Sequence, residues 1–389
     1  MEERRSSSTS AVARSTAEEL LAFPETRARA SARPVTRAER LFNVFSVIVL
    51  ILFASGWSWS IAMARAAGGS DASGATPATS AIANGLSDPS APSAAYLTGA
   101  MLDALMPLTG ESGKLKASIR APGTRIVSDS LPAGATATFS NGAVAESSAA
   151  LKAPAKVGIW QMAINAANAI KPLAGFSVIT LRSASEEKGG RLGLYYIGSW
   201  PAAKQVRPGV VYRPPSGFIE VTPENQNTQL SEHFKLRDFL PHDQQNVWPK
   251  YIALDMKLID KDELVLADLQ QRGINVSGVR VMSGFRTPQY NAGGGDPRGR
   301  AALSRHMYGD ANDIFIDSDG NGVMDDLNHD GRVNIADARV ILDAVSRVER
   351  AHPSLVGGCG VYSGTSAHGP FTHIDTRGYP ARWIGTGDS

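Results

Sequence analysis

The longest apolar stretch of the chain lies near its start. From Leu41 to Ala64 no charged residue interrupts the sequence, and the stretch contains the run VFSVIVLILFA. As a helix it would span roughly 36 Å, enough to cross a hydrocarbon core. Trp57 and Trp59 sit toward its C-terminal end, where interfacial aromatics are favoured, and Arg33, Arg37 and Arg40 precede it while only Arg65 follows. This asymmetry puts a basic tail, residues 1–40, in the cytoplasm, makes 41–64 a transmembrane anchor, and places the rest outside. The pattern predicts a single-pass inner-membrane protein whose C-terminal domains are periplasmic or otherwise extracytoplasmic. A cleaved secretory signal is the alternative reading, because Ala62-Met63-Ala64 has the small-x-small spacing of a cleavage site.

Residues 65–113 are rich in Ala, Ser, Gly and Pro and read as a tether, with a short apolar stretch from Tyr96 to Leu108 that suits a helix. From 114 to 228 the apolar runs are shorter and punctuated by turns at Pro122-Gly123 and Pro132-Ala133-Gly134. Leu192–Ile197 reads as a strand there, whereas Ile159–Ile170 alternates less cleanly and suits a helix. The segment is expected to be a small β-rich module. A second domain is expected over 229–389. Ser231-Glu232-His233-Phe234 suits a helix entry, Tyr251–Gln271 carries helical spacing, and Val276–Met282 alternates as a strand. Helix and strand alternating around one sheet predict an α+β fold.

Composition narrows the chemistry. The chain of 389 residues is 43% apolar and 20% charged, which permits a sizeable core. Lys and Arg number 39 against 37 Asp and Glu, so the near-zero net charge speaks against nucleic acid as a partner. Cys359 is the single cysteine. It excludes an intrachain disulfide and every multi-cysteine metal site, so any metal must use the seven histidines and the carboxylates. Cys359 itself, flanked by glycines, reads as a small buried residue.

One segment carries the right donors: Ser304-Arg-His306-Met-Tyr-Gly309-Asp-Ala311-Asn-Asp313-Ile-Phe-Ile316. Gly309 lets the chain turn between His306 and Asp313, and Asp313 opens an apolar strand. Downstream, Thr372-His373-Ile374-Asp375 places His373 and Asp375 on one strand face. Two imidazoles and a carboxylate with one open position form the ligand set of a catalytic zinc site. The string SxHxxGxAxD, followed by HxD and preceded by Ser283-Gly-Phe-Arg286-Thr-Pro-Gln-Tyr-Asn291, resembles the D-alanyl-D-alanine carboxypeptidase and murein endopeptidase group of metallopeptidases, which includes the hedgehog signalling domain. The resemblance covers roughly 229–385. It implies a hedgehog/D-Ala-D-Ala-peptidase-like zinc domain, with His306, Asp313 and His373 as zinc ligands and Arg286 facing the substrate. Several members of that group carry an acidic residue three positions before the last histidine ligand, where this chain has Pro370. Asp375 is the first candidate for the general base and His368 the second. Asp375 equally suits a group that orients His373.

A further cluster lies between the zinc strand and the next helix, over 317–337. Counted from Asp326, the ligand positions of a calcium loop fall on Asp326, Asn328, Asp330, Arg332 through its carbonyl, and Asp337, with Gly331 at the turn. This resembles a dockerin calcium loop, with Ile335–Val348 as the helix that follows. Asp317, Asp319 and Asn321 start an overlapping second loop. Structural Ca2+ is expected here beside catalytic Zn2+.

The reading that follows is a membrane-anchored zinc peptidase that hydrolyses peptide stems or crosslinks of peptidoglycan with a metal-activated water. The alternative is a non-catalytic, zinc-stabilised module that binds cell-wall peptides or a protein. Calcium-dependent adhesion through the loop is a third reading.

Overall fold

The computed structural model describes residues 99–385, apart from 128–130, 143, 149, 167–168, 294–299 and 367. It begins with α1 (Gly99–Leu105), β1 (Ala117–Arg120), β2 (Thr136–Ser140), β3 (Ala145–Ser148), β4 (Gly158–Ala166) and β5 (Ala169–Thr180). These five strands form one sheet in the order β1-β5-β4-β2-β3, with β1 parallel to β5 and the other pairs antiparallel. Residues 159–170 are therefore the two arms of a hairpin rather than a helix. The physical reason is a period of two: Trp160, Met162 and Ile164 are buried while Gln161 between them is exposed. They pack with Phe139, Val178 and the α1 residues Met101 and Leu105 into a core of their own.

Next come β6 (Arg182–Ser183), the two-residue strands β7 (Arg191–Leu192) and β8 (Tyr195–Tyr196), the hairpin β9 (Lys204–Arg207) and β10 (Val210–Tyr212), and β11 (Gly217–Val221). The strand expected over 192–197 is thus a tight hairpin that turns at Gly193-Leu194. Residues 231–234 form no helix, and a single 3-10 turn follows at Leu236–Phe239. β12 (Lys250–Ile252) pairs antiparallel with β11, so one small sheet runs across residue 229. A single core joins Leu115, Ile179 and Phe218 to Val265, Ile341 and Ile374.

The last part holds α2 (Met256–Gln271), β13 (Val279–Ser283), α3 (Pro288–Gly293), β14 (Ala311–Ile316), α4 (Ile335–Ala351), β15 (Gly358–Tyr362), β16 (Phe371–Asp375) and β17 (Ala381–Gly385). Its sheet has the order β13-β14-β16-β15-β17. Asp255 caps α2 by accepting from the Lys257 N–H, and Asn334 with Asp337 forms a capping box at α4. Both helices lay an apolar stripe on one face of the sheet: Leu258, Val265 and Leu269 from α2, and Ile341, Val345 and Val348 from α4. Each such side chain contributes about 1.5–3 kcal/mol by leaving water. Lys261 of α2, fully buried, donates to Glu349 of α4 and to the Asp375 carbonyl, which ties both helices to the end of β16.

Three expectations are corrected. Helix and strand do not alternate around one sheet: among the described residues the structure is mixed but dominated by strands in several sheets, with few helices. The helical phase that begins at Tyr251 starts only at Met256, because Tyr251 is held in β12. The anchor expected over 41–64, with its tail and most of the tether, lies outside the described residues. Among the described residues no helix is long and apolar enough to cross a membrane. The two longest, of 16 and 17 residues, are amphipathic and shorter than the roughly 20 apolar residues a span requires. The transmembrane element of the fold and the single-pass inner-membrane placement are corrected to that extent: the described residues supply neither.

Candidate metal centre

The uncovered face of the C-terminal sheet carries the chemistry. Strand register sets a row across all five strands: Ser283 opposite Asp313, Asp313 opposite His373, His373 opposite Gly360, and Gly360 opposite Trp383. Directly opposed residues present their side chains on the same face, so the row brings Asp313 and His373 together without any loop. Gly360 is required by close approach, since a Cβ there would sit 2.2 Å from the Trp383 ring. Trp383 therefore lies across Gly360 and against His373, with ring centroids 5.2 Å apart.

His306 arrives from the 3-10 turn Arg305–Tyr308, which ends on Gly309 in the left-handed region at φ 76°. A side chain at 309 would be strained there and would also strike the backbone of Ala253 and Leu254. The turn delivers His306 Nε2 to 3.1 Å from His373 Nδ1 and 3.2 Å from Asp313 Oδ1, while His373 Nδ1 is 2.9 Å from Asp313 Oδ1. The edge of a zinc tetrahedron with ordinary ligand bonds is roughly 3.3 Å, so this triangle has the dimensions of three ligands on one ion.

Hydrogen bonding around the triangle sharpens that fit. His306 Nδ1 donates to the Gly284 carbonyl at 2.7 Å, which leaves Nε2 with its lone pair. His373 Nε2 donates to Asp375 Oδ2 at 3.2 Å, which leaves Nδ1 with its lone pair. Three electron-pair donors then converge with no proton between them, an arrangement a cation stabilises. Without a metal a proton takes that place. Burial pulls the His373 pKa down, but hydrogen bonds to Asp313 and Asp375 outweigh it and raise the value. Burial, with Arg286 next, pushes His306 down to about 4. Asp313 resists its own burial and stays well below the usual carboxylate range, held there by the two histidines and Arg286.

Arg286 donates from Nη2 to Asp313 Oδ2 at 2.7 Å and from Nε to Ser283 Oγ at 2.8 Å. It thereby turns the other oxygen, Oδ1, toward the histidines. Asp375 lies behind His373, fully buried, and accepts from the Gly358 N–H at 2.7 Å and from the Arg377 guanidinium. Burial raises its pKa, yet hydrogen bonds from His373 and Arg377 prevail and hold it below the ordinary range. His368 stands apart from this cluster and donates from Nδ1 to the Gly369 carbonyl at 2.8 Å.

The triangle opens into a cleft of about 690 Å³ lined also by Arg286, Arg300, Arg305, His368, Tyr362 and Trp383. Asp313 is the single carboxylate among the described residues that line it. Tyr362 stacks on Phe371 and accepts a hydrogen bond from Trp383 Nε1 at 2.8 Å. Sequence reasoning missed Trp383, Tyr362 and Arg377. Arg377 had a signal, since it follows His373 and Asp375 at the same spacing of two.

Hydrogen bonds from backbone N–H groups order the acidic insert. Asp337, expected as the last calcium ligand, accepts from Leu327 and Asn328 with Oδ1 and from Asn334 with Oδ2, and so serves as the cap of α4. Asp326 accepts from the Asp330 and Gly331 N–H groups, Asn328 donates to Asp330, and the Arg332 N–H donates to Asp330. Asp317 and Asp319 instead converge with Asp325, while Asn321 donates to Asp319 and accepts from the Val323 N–H. Comparison with protein families, curated proteins and solved structures finds no match for this chain.

Proposed function

We propose that this protein is a zinc-dependent peptidase acting on the peptide stems or crosslinks of peptidoglycan, with His306, Asp313 and His373 holding the metal. The observation that carries the reading is the triangle of His306 Nε2, Asp313 Oδ1 and His373 Nδ1, 2.9–3.2 Å on a side, in the lining of an open cleft. When bound, zinc supplies a Lewis acid that polarises a scissile carbonyl and lowers the pKa of water. Arg286 fixes Asp313 and presents the rest of its guanidinium to the cleft, where a substrate carboxylate or a developing oxyanion can pair with it. Asp375 orients His373 and keeps the proton of that ring on Nε2. The proton of the attacking water goes to His368, which lines the cleft and has Nε2 left to accept once Nδ1 is committed to Gly369. Arg300 adds positive charge to the wall, which suits peptides bearing free carboxylates, while the Arg305 guanidinium is paired with Asp310.

The test is digestion of purified wall peptides by the full chain with and without zinc, read by mass spectrometry, beside His306→Ala. Zinc-dependent cleavage that the substitution abolishes is expected. Equal activity of variant and wild type overturns the reading. A second reading, a metal-stabilised peptide-binding module, draws on Pro370 and on the absence of a second carboxylate among the described cleft residues. Tight binding of an unaltered peptide at full zinc occupancy favours it.

A further inference from the structure

Asp317 follows β14 directly and is a buried carboxylate with one oxygen left over. It is 2% exposed. Its Oδ2 accepts from the Gly322 N–H at 3.2 Å and lies 3.4 Å from Arg280 Nε, whereas Oδ1 has no hydrogen-bond partner. A buried charged oxygen without a partner is among the costlier features a fold can carry. One carboxylate oxygen from each of Asp317, Asp319 and Asp325 lies within 4.8 Å of the others. Arg280, which is more than half exposed, offsets one of the three charges and leaves two. Two surplus negative charges, presented by oxygen atoms alone, match a hard divalent cation rather than zinc, which prefers nitrogen and sulfur.

We infer that Asp317, Asp319 and Asp325 bind one calcium ion at the C-terminal end of the strand that carries Asp313. The ion belongs to the first half of the insert, where Asp317 Oδ1 is buried and unpartnered; among the buried side-chain oxygens of the dockerin-like loop that starts at Asp326 none lacks a partner. Counted from Asp317, Asp325 is position 9, a ligand position of a calcium loop. This site stands apart from the zinc reading, but it touches the same strands. The Asp325 N–H donates to the Ile316 carbonyl at 2.7 Å, and the Asp317 N–H donates to the Gly278 carbonyl at 3.0 Å. Val323, inside the loop, packs so closely on Gly369 that a Cβ at 369 would come within 2.6 Å of it. Gly369 adjoins His368 in the cleft wall. An ion that gathers the loop therefore steadies both the end of β14 and the turn that presents His368.

The experiment is calorimetric titration of chelator-treated full chain with calcium chloride, zinc held constant, and with magnesium chloride in parallel. Calcium uptake is expected, tighter than magnesium, and weakened at least about tenfold by Asp317→Asn and by Asp319→Asn. Asp319 is exposed, so its substitution tests the site even where the buried Asp317 variant folds poorly. His306→Ala should leave calcium uptake unchanged, which separates this result from the fate of the zinc reading. No calcium uptake overturns the inference, as does magnesium binding more tightly than calcium. Uptake that survives both substitutions but is lost in Asp330→Asn also overturns it and assigns the ion to the loop that starts at Asp326.

Discussion

Substituting Asp375 by Asn separates two roles for this carboxylate. Asp375 accepts from Gly358, from Arg377 and from His373 Nε2, and no part of it is exposed. A group enclosed in this way orients its neighbour and has no path to a water in the cleft. In Asp375→Asn the remaining carbonyl still accepts from Gly358, but an amide NH2 now faces the His373 ring N–H and the Arg377 guanidinium. His373 is then free to place its proton on Nδ1, the atom 2.9 Å from Asp313 Oδ1 and 3.1 Å from His306 Nε2. Loss of such an orienting partner typically lowers metal affinity 10–100-fold, or about 1.4–2.8 kcal/mol. Stability should fall as well, by about 3 kcal/mol, because Arg377 keeps its charge beside a vacated partner and is only 17% exposed. Zinc affinity is measured by competition with a chromophoric chelator, and stability by urea unfolding of the zinc-free protein. The reasoning is refuted if zinc affinity stays within about threefold of wild type while kcat/KM at saturating zinc loses its acid limb. That outcome makes Asp375 the base.

Two further expectations concern protons. Hydrogen bonds to Asp313 and Asp375 raise the His373 pKa despite burial, so zinc must displace a proton there up to a higher pH than at a free imidazole. Zinc affinity should fall as pH drops through that raised value, by up to about tenfold per unit, and an affinity that stays flat below neutrality in chelator competition contradicts this. Burial also pushes the Asp262 carboxyl up to about 8, against roughly 3.9 in an unfolded chain. Between those values the native chain holds the extra proton, so this group's contribution to stability is full at low pH and declines by about 1.4 kcal/mol per unit as pH rises. Urea unfolding of Asp262→Asn from pH 5 to pH 8 should show a shallower decline than wild type, and parallel curves would rule the protonated Asp262 out.

His306, Asp313 and His373 could be read from the chain because their chemistry is local. A histidine and a carboxylate on either side of a turn glycine, and a histidine on a short apolar strand, mark themselves by residue type. The role of Asp375 could not be read, because strand alternation puts it on the face of His373 without saying that Arg377 and Gly358 enclose it. The same limit explains the insert. Spacing cannot distinguish a carboxylate that caps a helix, as Asp337 does, from one that is left with an unpaired oxygen, as Asp317 is. Elements built from long-range pairing were hidden for a related reason. β11 meets β12 across the expected boundary at 229, and β4 is fixed by its antiparallel partners β2 and β5. The triangle of donor atoms itself depends on such a pairing, since Asp313 and His373 come together because β14 and β16 are in register. A shift of one residue between these two strands would turn Ile374 or Thr372 into the cleft in place of His373 and bury the ligand against the helices. The buried hydrogen bond from Thr372 Oγ1 to the Ala338 carbonyl of α4, at 3.1 Å, and the packing of Ile374 under the sheet oppose that shift. The helix-facing residues of β16 thus hold the site in register as firmly as the ligands define it.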